Sequence, residues 1–208
     1  MNSAGCGGLS GIPVRGTWYR AVDPRFLATA LSTIHTPTTP SRFSPGRPAA
    51  PAFEVLYLAE NPMVAMFEAR ALFGSPSTPG GVVPHPSRPL VTLPIVVALT
   101  AVADLTDPAE SAIVDTNAQE LTGDWRSYAT RIPPTVPPGP HSGVPPTHSL
   151  GISLYSLGKY RGLVTFSATL PDYKILVVFP DRLMKRASDY LQYSFHDDRG
   201  AMQVKRIP

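Results

Sequence analysis

One stretch, FEVLYLAENPMVAMFEARALFG, constrains the fold more than any other part of the chain. Residues 53–60 alternate with the period of two that is typical of a strand, and they include aromatic and β-branched side chains. Asn61 is then placed as a helix N-cap, with Pro62 at the first helical position, where a missing N–H costs nothing. The pattern predicts a helix over residues 63–73 that ends at Gly74.

This predicted helix carries a carboxylate for which it offers no partner. It is apolar almost all round, which places most of it in the core, yet Glu68 lies in its middle. The residues three and four positions away are apolar, and Arg70 points to a different side. A half-buried carboxylate needs a partner from elsewhere, a proton or a cleft. Glu68 is therefore either neutralised by a distant arginine or part of a functional site.

Composition predicts one compact domain with long irregular connections. The chain has 208 residues, of which 43% are hydrophobic, 16% are charged and 25 are prolines. A net charge of +3 suits an anionic ligand but is too weak and dispersed for a nucleic-acid-binding surface. The N-terminal sequence does not read as a signal peptide, and no apolar run is long enough to span a membrane. We therefore expect a cytoplasmic protein without direct membrane or nucleic-acid contacts.

The order of the predicted elements indicates a single mixed α+β domain. We expect a flexible N-terminus over residues 1–15, the compact domain over residues 16–183, and a C-terminal tail over residues 184–208 that packs on it. Further strands are predicted at 16–23, at 90–100 as a pair or one strand bent at Pro94, and at 162–169 and 173–179 as an antiparallel hairpin. Helical segments are predicted at 24–34, 107–131 and 147–157, and proline-rich loops at 35–51, 75–89 and 132–146.

Several standard sites are absent from the sequence. It contains no glycine-rich phosphate loop and no GxSxG motif, and its five histidines lack metal-ligand spacing. Cys6, the only cysteine, excludes an intramolecular disulfide and is a poor candidate nucleophile. Six polar residues remain as candidates for a site, although each taken singly could also be structural: Arg20, Arg42, Arg47, Tyr57, Glu68 and Ser167.

The order of these residues resembles a known family. The segments WYRA, SRFSPGR, LYLAENPMVAMFEA, TGDWR, THSLGISLY, GLVTFSAT and ILVVF, spread over residues 16–182, resemble the RES domain family. That family is named for characteristic Arg, Glu and Ser residues, and it contains toxins of bacterial toxin–antitoxin pairs. The resemblance implies a fold similar to that of ADP-ribosyltransferases, an activity that destroys NAD, and an Xre-type helix-turn-helix antitoxin as the partner.

The resemblance also implies a set of functional residues. The matching positions are Arg20, Arg42, Tyr57, Glu68 and Ser167. Thr169 stands where the family often has an arginine, which is a departure from its pattern.

The chemistry of NAD cleavage is compatible with a single carboxylate. The nicotinamide leaves as a neutral amide without needing a general acid, and positive charge moves onto the ribose as in glycosidases. Glu68 would stabilise that oxocarbenium-like transition state and hold the ribose hydroxyls.

The other candidates would bind the dinucleotide. Arg20 and Arg42 suit the pyrophosphate, because a guanidinium meets phosphate oxygens with two hydrogen bonds, and Arg47 is a weaker candidate for the same role. Tyr57 would line the nicotinamide pocket and Ser167 would donate a hydrogen bond there. We expect Glu68, Arg20 and Tyr57 to be catalytic, NAD to be the substrate and no metal to be needed.

Three interpretations remain open from the sequence. The acceptor of the ADP-ribose moiety is water or inorganic phosphate in the first, and a protein in the second. In the third, the protein is a non-enzymatic binding module in which Glu68 forms a structural ion pair and the proline-rich loops recruit partners.

Overall fold

The computed structural model describes residues 3–47, 51–126, 128, 144–184 and 189–208. The strands in these ranges are β1 (Gly11–Val22), β2 (Leu56–Ala59), β3 (Leu72–Gly74), β4 (Val82–Pro84), β5 (Val91–Asp104), β6 (Gly162–Phe166), β7 (Lys174–Val178), β8 (Tyr190–His196) and β9 (Met202–Ile207). The α-helices are α1 (Pro62–Glu68), α2 (Pro108–Ile113), α3 (Ala118–Thr122) and α4 (Pro146–Ser156). Short 3-10 helices form at Ser3–Gly8, Pro24–Thr29, Thr36–Thr38 and Pro180–Arg182.

Five strands of the main sheet close into a ring. The sheet has the order β1–β2–β7–β6–β5–β8–β9, and β1 pairs with β5 as well as with β2. The β1–β5 pairing is antiparallel and runs from Gly11 opposite Ala103 to Val22 opposite Val91. β5 and β6 are parallel, whereas β6 and β7 form the predicted antiparallel pair. This architecture confirms the prediction of a single mixed α+β domain.

Two hydrophobic clusters lie on opposite faces of the strands, because side chains alternate along a strand. On β2, Leu56 and Leu58 belong to one cluster, and Ala59, with Val55 just before the strand, belongs to the other. The second cluster also contains side chains from helices, namely Val64 and Ala65 of α1, Leu121 of α3, and Leu150 and Leu154 of α4. The helices therefore cover one face of the sheet, and Tyr57 packs against that cluster.

The prediction of a flexible terminus at residues 1–15 is wrong for the part of it that the structure describes. Cys6 and Leu9 are each 1% exposed, and the Tyr160 hydroxyl donates to the carbonyls of both, at 3.0 and 2.7 Å. The small residues that suggested flexibility instead permit close packing. A Cβ atom on Gly5 would lie 2.3 Å from a carbonyl oxygen of α2.

Helix α1 is shorter than predicted. It ends at Glu68 rather than at residue 73, and Arg70 takes the left-handed conformation, with φ of 56°, expected of a C′ residue. Its N–H bonds to the carbonyl of Phe67, and that of Ala71 bonds to Met66, which is the Schellman pattern. Gly74 is not the cap but belongs to the hairpin of β3 and β4. The cap was missed because its C′ residue is an arginine.

The predicted strand or strand pair at residues 90–100 is one long strand, β5. Pro94 lies opposite Tyr19 of β1, and β8 begins to pair with β5 only at Val96. A proline is tolerated there because the pairing with β8 does not require its missing N–H.

The helical predictions between residues 107 and 157 need correction at their ends. Asp107 caps α2 as predicted, with its side chain accepting from the Ala109 N–H at 2.8 Å. Instead of continuous helical material to residue 131, the described residues form α2 and α3, and α3 ends at Thr122. The predicted loop at 132–146 lies outside the described residues except for its last three. Thr147 is an inner residue of α4 rather than its cap.

The predicted tail over residues 184–208 contributes two strands to the main sheet. Asp189, just before β8, accepts from the N–H and the hydroxyl of Thr100 on β5, at 2.7 and 2.8 Å. It also pairs with Arg161 at 2.8 Å, and both side chains are buried. In the part of the chain that the structure describes, no helix has the length and apolar character needed to cross a membrane.

Candidate active site

A cavity of about 610 Å³ opens beside α1. Four of the residues proposed from the sequence line it: Arg20, Arg42, Tyr57 and Glu68. Its volume falls in the range of small-molecule sites in proteins, about 300–1,000 Å³. Side chains from β1, the loop at 35–43, β2, α1, the segment at 122–126 and the β6–β7 region contribute to the lining.

Glu68 is held by neutral donors from the turn after β6. Its Oε1 accepts from the Ser167 hydroxyl at 2.5 Å, the Ala168 N–H at 2.9 Å and the Thr169 N–H and hydroxyl at 3.3 and 3.1 Å. All hydrogen bonds of Glu68 among the described residues fall on this one oxygen. The other oxygen, Oε2, keeps its acceptor capacity for a ligand.

The local sequence explains why Glu68 needs these donors. Asn61 caps α1 through its side chain, which accepts from the Val64 N–H at 3.0 Å. Glu68 is the last residue of this helix, where the unpaired carbonyls disfavour a negative charge. Within the described ranges no lysine or arginine forms an ion pair with Glu68. Among the described residues the carboxylate is therefore oriented by hydrogen bonds and not by a salt bridge.

The loop that carries Arg42 is fixed by Tyr57. The Tyr57 hydroxyl donates to Ser41 Oγ at 3.0 Å and accepts from the Phe43 N–H at 3.1 Å. Burial raises the pKa of Tyr57, so its hydroxyl stays protonated and able to donate. The Phe43 side chain is 1% exposed, and its carbonyl lies so close to α4 that a Cβ on Gly151 would be only 1.9 Å away. Tyr57 thus braces this loop in addition to lining the cavity.

Arg42 brings a positive charge with one unsatisfied N–H to the cavity. Its Nε is buried and has no hydrogen-bond partner among the described residues. Burial lowers the pKa of Arg42, and the charge of Glu68 partly offsets this effect. A buried N–H of a charged group is costly when it has no hydrogen-bond partner, and an anion would supply one. The geometry therefore favours an anionic ligand beside Arg42.

Arg20 supplies a second such guanidinium. Burial lowers the pKa of Arg20 to about 10, and the nearby Tyr193 hydroxyl on β8 counteracts this slightly. Its Nη1 is also buried without a hydrogen-bond partner in the described chain. Two arginines in one cavity, each with a buried N–H that lacks a partner among the described residues, match the two phosphates of a pyrophosphate.

The remaining predicted residues lie in different environments. Arg47 is exposed and is not part of the cavity lining, so it does not share the environment of Arg42. Ser167 is buried behind Glu68, where its hydroxyl also accepts from the Leu170 N–H at 3.1 Å. Thr169 is exposed and contacts Glu68 through both its N–H and its hydroxyl.

Two residues of the cavity region were not identified as site residues from the sequence. Trp125 lines the cavity, and its ring lies 5.2 Å from that of His148 on α4. His148 is 6% exposed, and its Nε2 lies 2.7 Å from the carbonyl oxygen of Ser41. The sequence shows both aromatic residues, but their meeting depends on the packing of α4 against the loop at 41–44.

The described residues offer neither a metal-binding cluster nor a reactive cysteine. Over these ranges no group of three or more His, Cys, Asp or Glu side chains is arranged to hold a metal ion. Burial raises the pKa of the Cys6 thiol to about 11, which keeps it protonated and unreactive.

Comparison with known proteins agrees with this architecture. A solved structure described as the toxin–antitoxin complex of MbcT and MbcA from M. tuberculosis matches with a TM-score of 0.58 and 19% identity, covering 99% of this chain and 90% of that chain. No curated protein matches the chain. The fold is thus shared with a chain of that complex. The model of the RES domain matches residues 17–197, most of the chain, and the protein belongs to the RES domain family.

Proposed function

We propose that this protein is a toxin that degrades NAD by cleaving the bond between nicotinamide and ribose. The observation that carries the proposal is that one cavity contains an oriented carboxylate and two arginines, each with a buried nitrogen that lacks a hydrogen-bond partner in the described chain. Glu68 offers a free carboxylate oxygen, while Arg20 and Arg42 each offer a nitrogen without a hydrogen-bond partner in the described chain.

The carboxylate suits the charge that develops during cleavage. The bond between ribose C1 and the pyridinium nitrogen breaks with its electron pair passing to nitrogen, so nicotinamide leaves neutral. Positive charge then develops on ribose C1 and its ring oxygen. Glu68 stabilises this charge without being protonated, and its Oε2 is available to accept from a ribose hydroxyl.

The arginines suit the rest of the substrate. A pyrophosphate bound by Arg20 and Arg42 would satisfy their unpaired N–H groups and hold the nicotinamide ribose against Glu68. This binding energy comes from parts of the substrate that are remote from the reacting bond. It increases the rate of cleavage because it holds the reacting ribose in position.

The acceptor completes the reaction. Water attacks ribose C1 and loses a proton to solvent, which gives ADP-ribose. Alternatively, inorganic phosphate attacks the same carbon, which gives ADP-ribose phosphorylated at C1. Transfer to a protein side chain is the alternative outcome. Incubation with NAD in phosphate-free buffer, in phosphate and with candidate protein acceptors separates these cases by their products.

The proposed partner is an Xre-type helix-turn-helix antitoxin that prevents growth arrest caused by NAD loss. The structural neighbour is itself a toxin–antitoxin complex, which supports a proteinaceous antitoxin for this chain. Co-expression of the adjacent small open reading frame, if it encodes such a protein, should restore growth and co-purify with the toxin.

The direct test is release of nicotinamide from NAD by the purified protein. We expect release by the wild type and a loss of at least about 100-fold in kcat for Glu68→Gln, because the developing charge loses its counter-charge. Glu60→Gln, which changes a carboxylate outside the cavity lining, is the matched control and should keep wild-type activity. The proposal fails if the wild type releases no nicotinamide or if Glu68→Gln is fully active.

A further inference from the structure

Trp125 occupies a position that the proposed reaction at Glu68 does not explain. It is half-buried, and it lines both the 610 Å³ cavity and an adjoining cavity of about 310 Å³. Gly123 and Asp124 are likewise shared between the two linings, so the segment at 123–125 separates the cavities. An indole placed at such a junction presents a flat apolar surface to whatever extends beyond the first cavity.

We propose that Trp125 is the surface on which the adenine base of NAD stacks, so that this protein selects dinucleotides over mononucleotides. This inference rests on the proposed function and extends it to the far end of the substrate. Aromatic side chains hold nucleic-acid bases by stacking because every base has a π-face.

The groups that line the larger cavity suit the successive parts of NAD. Arg42 lies within electrostatic reach of Glu68 and also of Asp124 and Arg126, which flank Trp125. Because Glu68, Arg42 and Trp125 line the same cavity, a substrate that holds its ribose at Glu68 and its pyrophosphate at Arg42 can reach Trp125 with its second base.

Trp125 and the Arg42 loop are tied to the same histidine. The His148 ring lies 5.2 Å from the Trp125 ring at an angle of 49°, and its Nε2 contacts the Ser41 carbonyl next to Arg42. Burial lowers the pKa of His148, so it is neutral at pH 7, and the contact assigns the Nε2 proton to a hydrogen bond with Ser41. One buried side chain thus fixes the relative position of the phosphate-binding and base-binding elements.

The adjoining cavity offers polar groups suited to a purine. Thr147 is 2% exposed, lines this cavity, and has a buried Oγ1 without a hydrogen-bond partner in the described chain. A hydroxyl can donate to a ring nitrogen or accept from an exocyclic amine. The cavity therefore combines a stacking surface with an unsatisfied hydrogen-bonding group.

The test compares NAD with nicotinamide mononucleotide, which has the same scissile bond but no adenosine. We expect wild type to prefer NAD, and Trp125→Ala to reduce the ratio of the two kcat/KM values by roughly 10- to 100-fold, mainly through KM for NAD. Trp125→Phe keeps an aromatic face and should retain most of the preference. An unchanged ratio in a folded Trp125→Ala protein would overturn the proposal, as would an equal loss with both substrates.

A binding measurement keeps the subsite testable if cleavage is not observed. ADP-ribose and ribose 5-phosphate are titrated into wild type, Trp125→Phe and Trp125→Ala by calorimetry, with melting curves to confirm folding. We expect ADP-ribose to bind wild type and Trp125→Phe more tightly than ribose 5-phosphate, and this advantage to shrink clearly in Trp125→Ala, where only the pyrophosphate contacts with Arg20 and Arg42 remain. Absence of cleavage with this binding pattern would refute the proposed activity but not the subsite, whereas equal binding of both ligands to wild type would refute the subsite.

Discussion

The Glu68 carboxylate is oriented by hydrogen bonds to a single oxygen, Oε1. Of the side chains that donate them, Ser167 is the one whose removal should disturb this orientation most. The Ser167 hydroxyl makes the shortest of the hydrogen bonds to Oε1, and hydrogen bonds to charged groups are worth about 1.5–3 kcal/mol. The backbone N–H groups of Ala168 and Thr169 remain when the hydroxyl is removed. Ser167 therefore acts as a positioning residue for the carboxylate.

We predict that Ser167→Ala lowers kcat for nicotinamide release by about 10-fold or more while leaving KM for NAD nearly unchanged. The reason is that a misoriented carboxylate stabilises the transition state less but does not alter the phosphate contacts. Steady-state kinetics on the purified variant measures this, with the exposed Ser194→Ala as the control. A raised KM with an unchanged kcat would instead assign Ser167 to substrate binding.

For individual residues, the sequence predicted that Glu68 has no partner in its own helix, but it did not predict which residues surround it in the fold. The lack of a local partner for Glu68 is visible in the neighbouring apolar residues, and the cap at Asn61 follows from residue type. The donors at residues 167–169 are distant in sequence and meet Glu68 only after β6 is placed. His148 gave no signal because its contacts with Ser41 and Trp125 belong to tertiary structure.

Among the elements, α4 controls the loop that presents Arg42. The absence of a side chain at Gly151 lets α4 approach the Phe43 carbonyl so closely that a Cβ would be 1.9 Å from its oxygen. That contact involves backbone on both sides, so a flexible side chain cannot relieve it.

We predict that Gly151→Ala destabilises the protein by about 1–3 kcal/mol and raises KM for NAD, because the helix and the Arg42 loop must separate. Urea unfolding and steady-state kinetics check the two effects. Ser156→Ala, at an exposed position of the same helix, is the matched control and should change neither quantity appreciably. A Gly151→Ala protein with wild-type stability and KM would show that the loop does not depend on this contact.

Element ends were harder to predict than element types. The strand–helix unit at 53–74 exists, but its helix ends early at a left-handed arginine, a conformation more readily expected of glycine. The long strand β5 was obscured by Pro94, whose tolerance depends on where β8 begins to pair. Both errors arise because the deciding contacts lie on other segments of the chain.

For the molecule as a whole, the buried pair of Arg161 and Asp189 joins the C-terminal strands to the ring. Their side chains are 7% and 0% exposed. Although burial alone would raise the pKa of Asp189, hydrogen bonds from Thr100 and Arg161 hold it below its usual value. Removing one charge of such a pair leaves the other buried and uncompensated.

We predict that Asp189→Asn lowers the free energy of unfolding by about 3–5 kcal/mol, whereas Asp198→Asn, at an exposed position, has almost no effect. Urea denaturation at pH 7 measures both. Because the folded pKa of Asp189 is depressed, its contribution is present above the unfolded pKa and is lost as the pH falls through the folded value. The difference between wild type and Asp189→Asn should therefore shrink on acidification; a constant difference would contradict the ion-pair explanation.

The closed ring determines at which stage of synthesis and folding the active site can form. β1 pairs with β5, and in the described chain the hydrogen-bond donors to Glu68 come from the turn that follows β6. Arg20 and Ser167 therefore belong to one site although they are far apart in the sequence. Long-range pairings of this kind form late and slowly, because loop closure must precede the contacts that reward it. A ribosome-bound fragment that stops before β6 lacks the complete arrangement. Topology thus delays the assembly of the site until β6 and the turn that follows it have been synthesised.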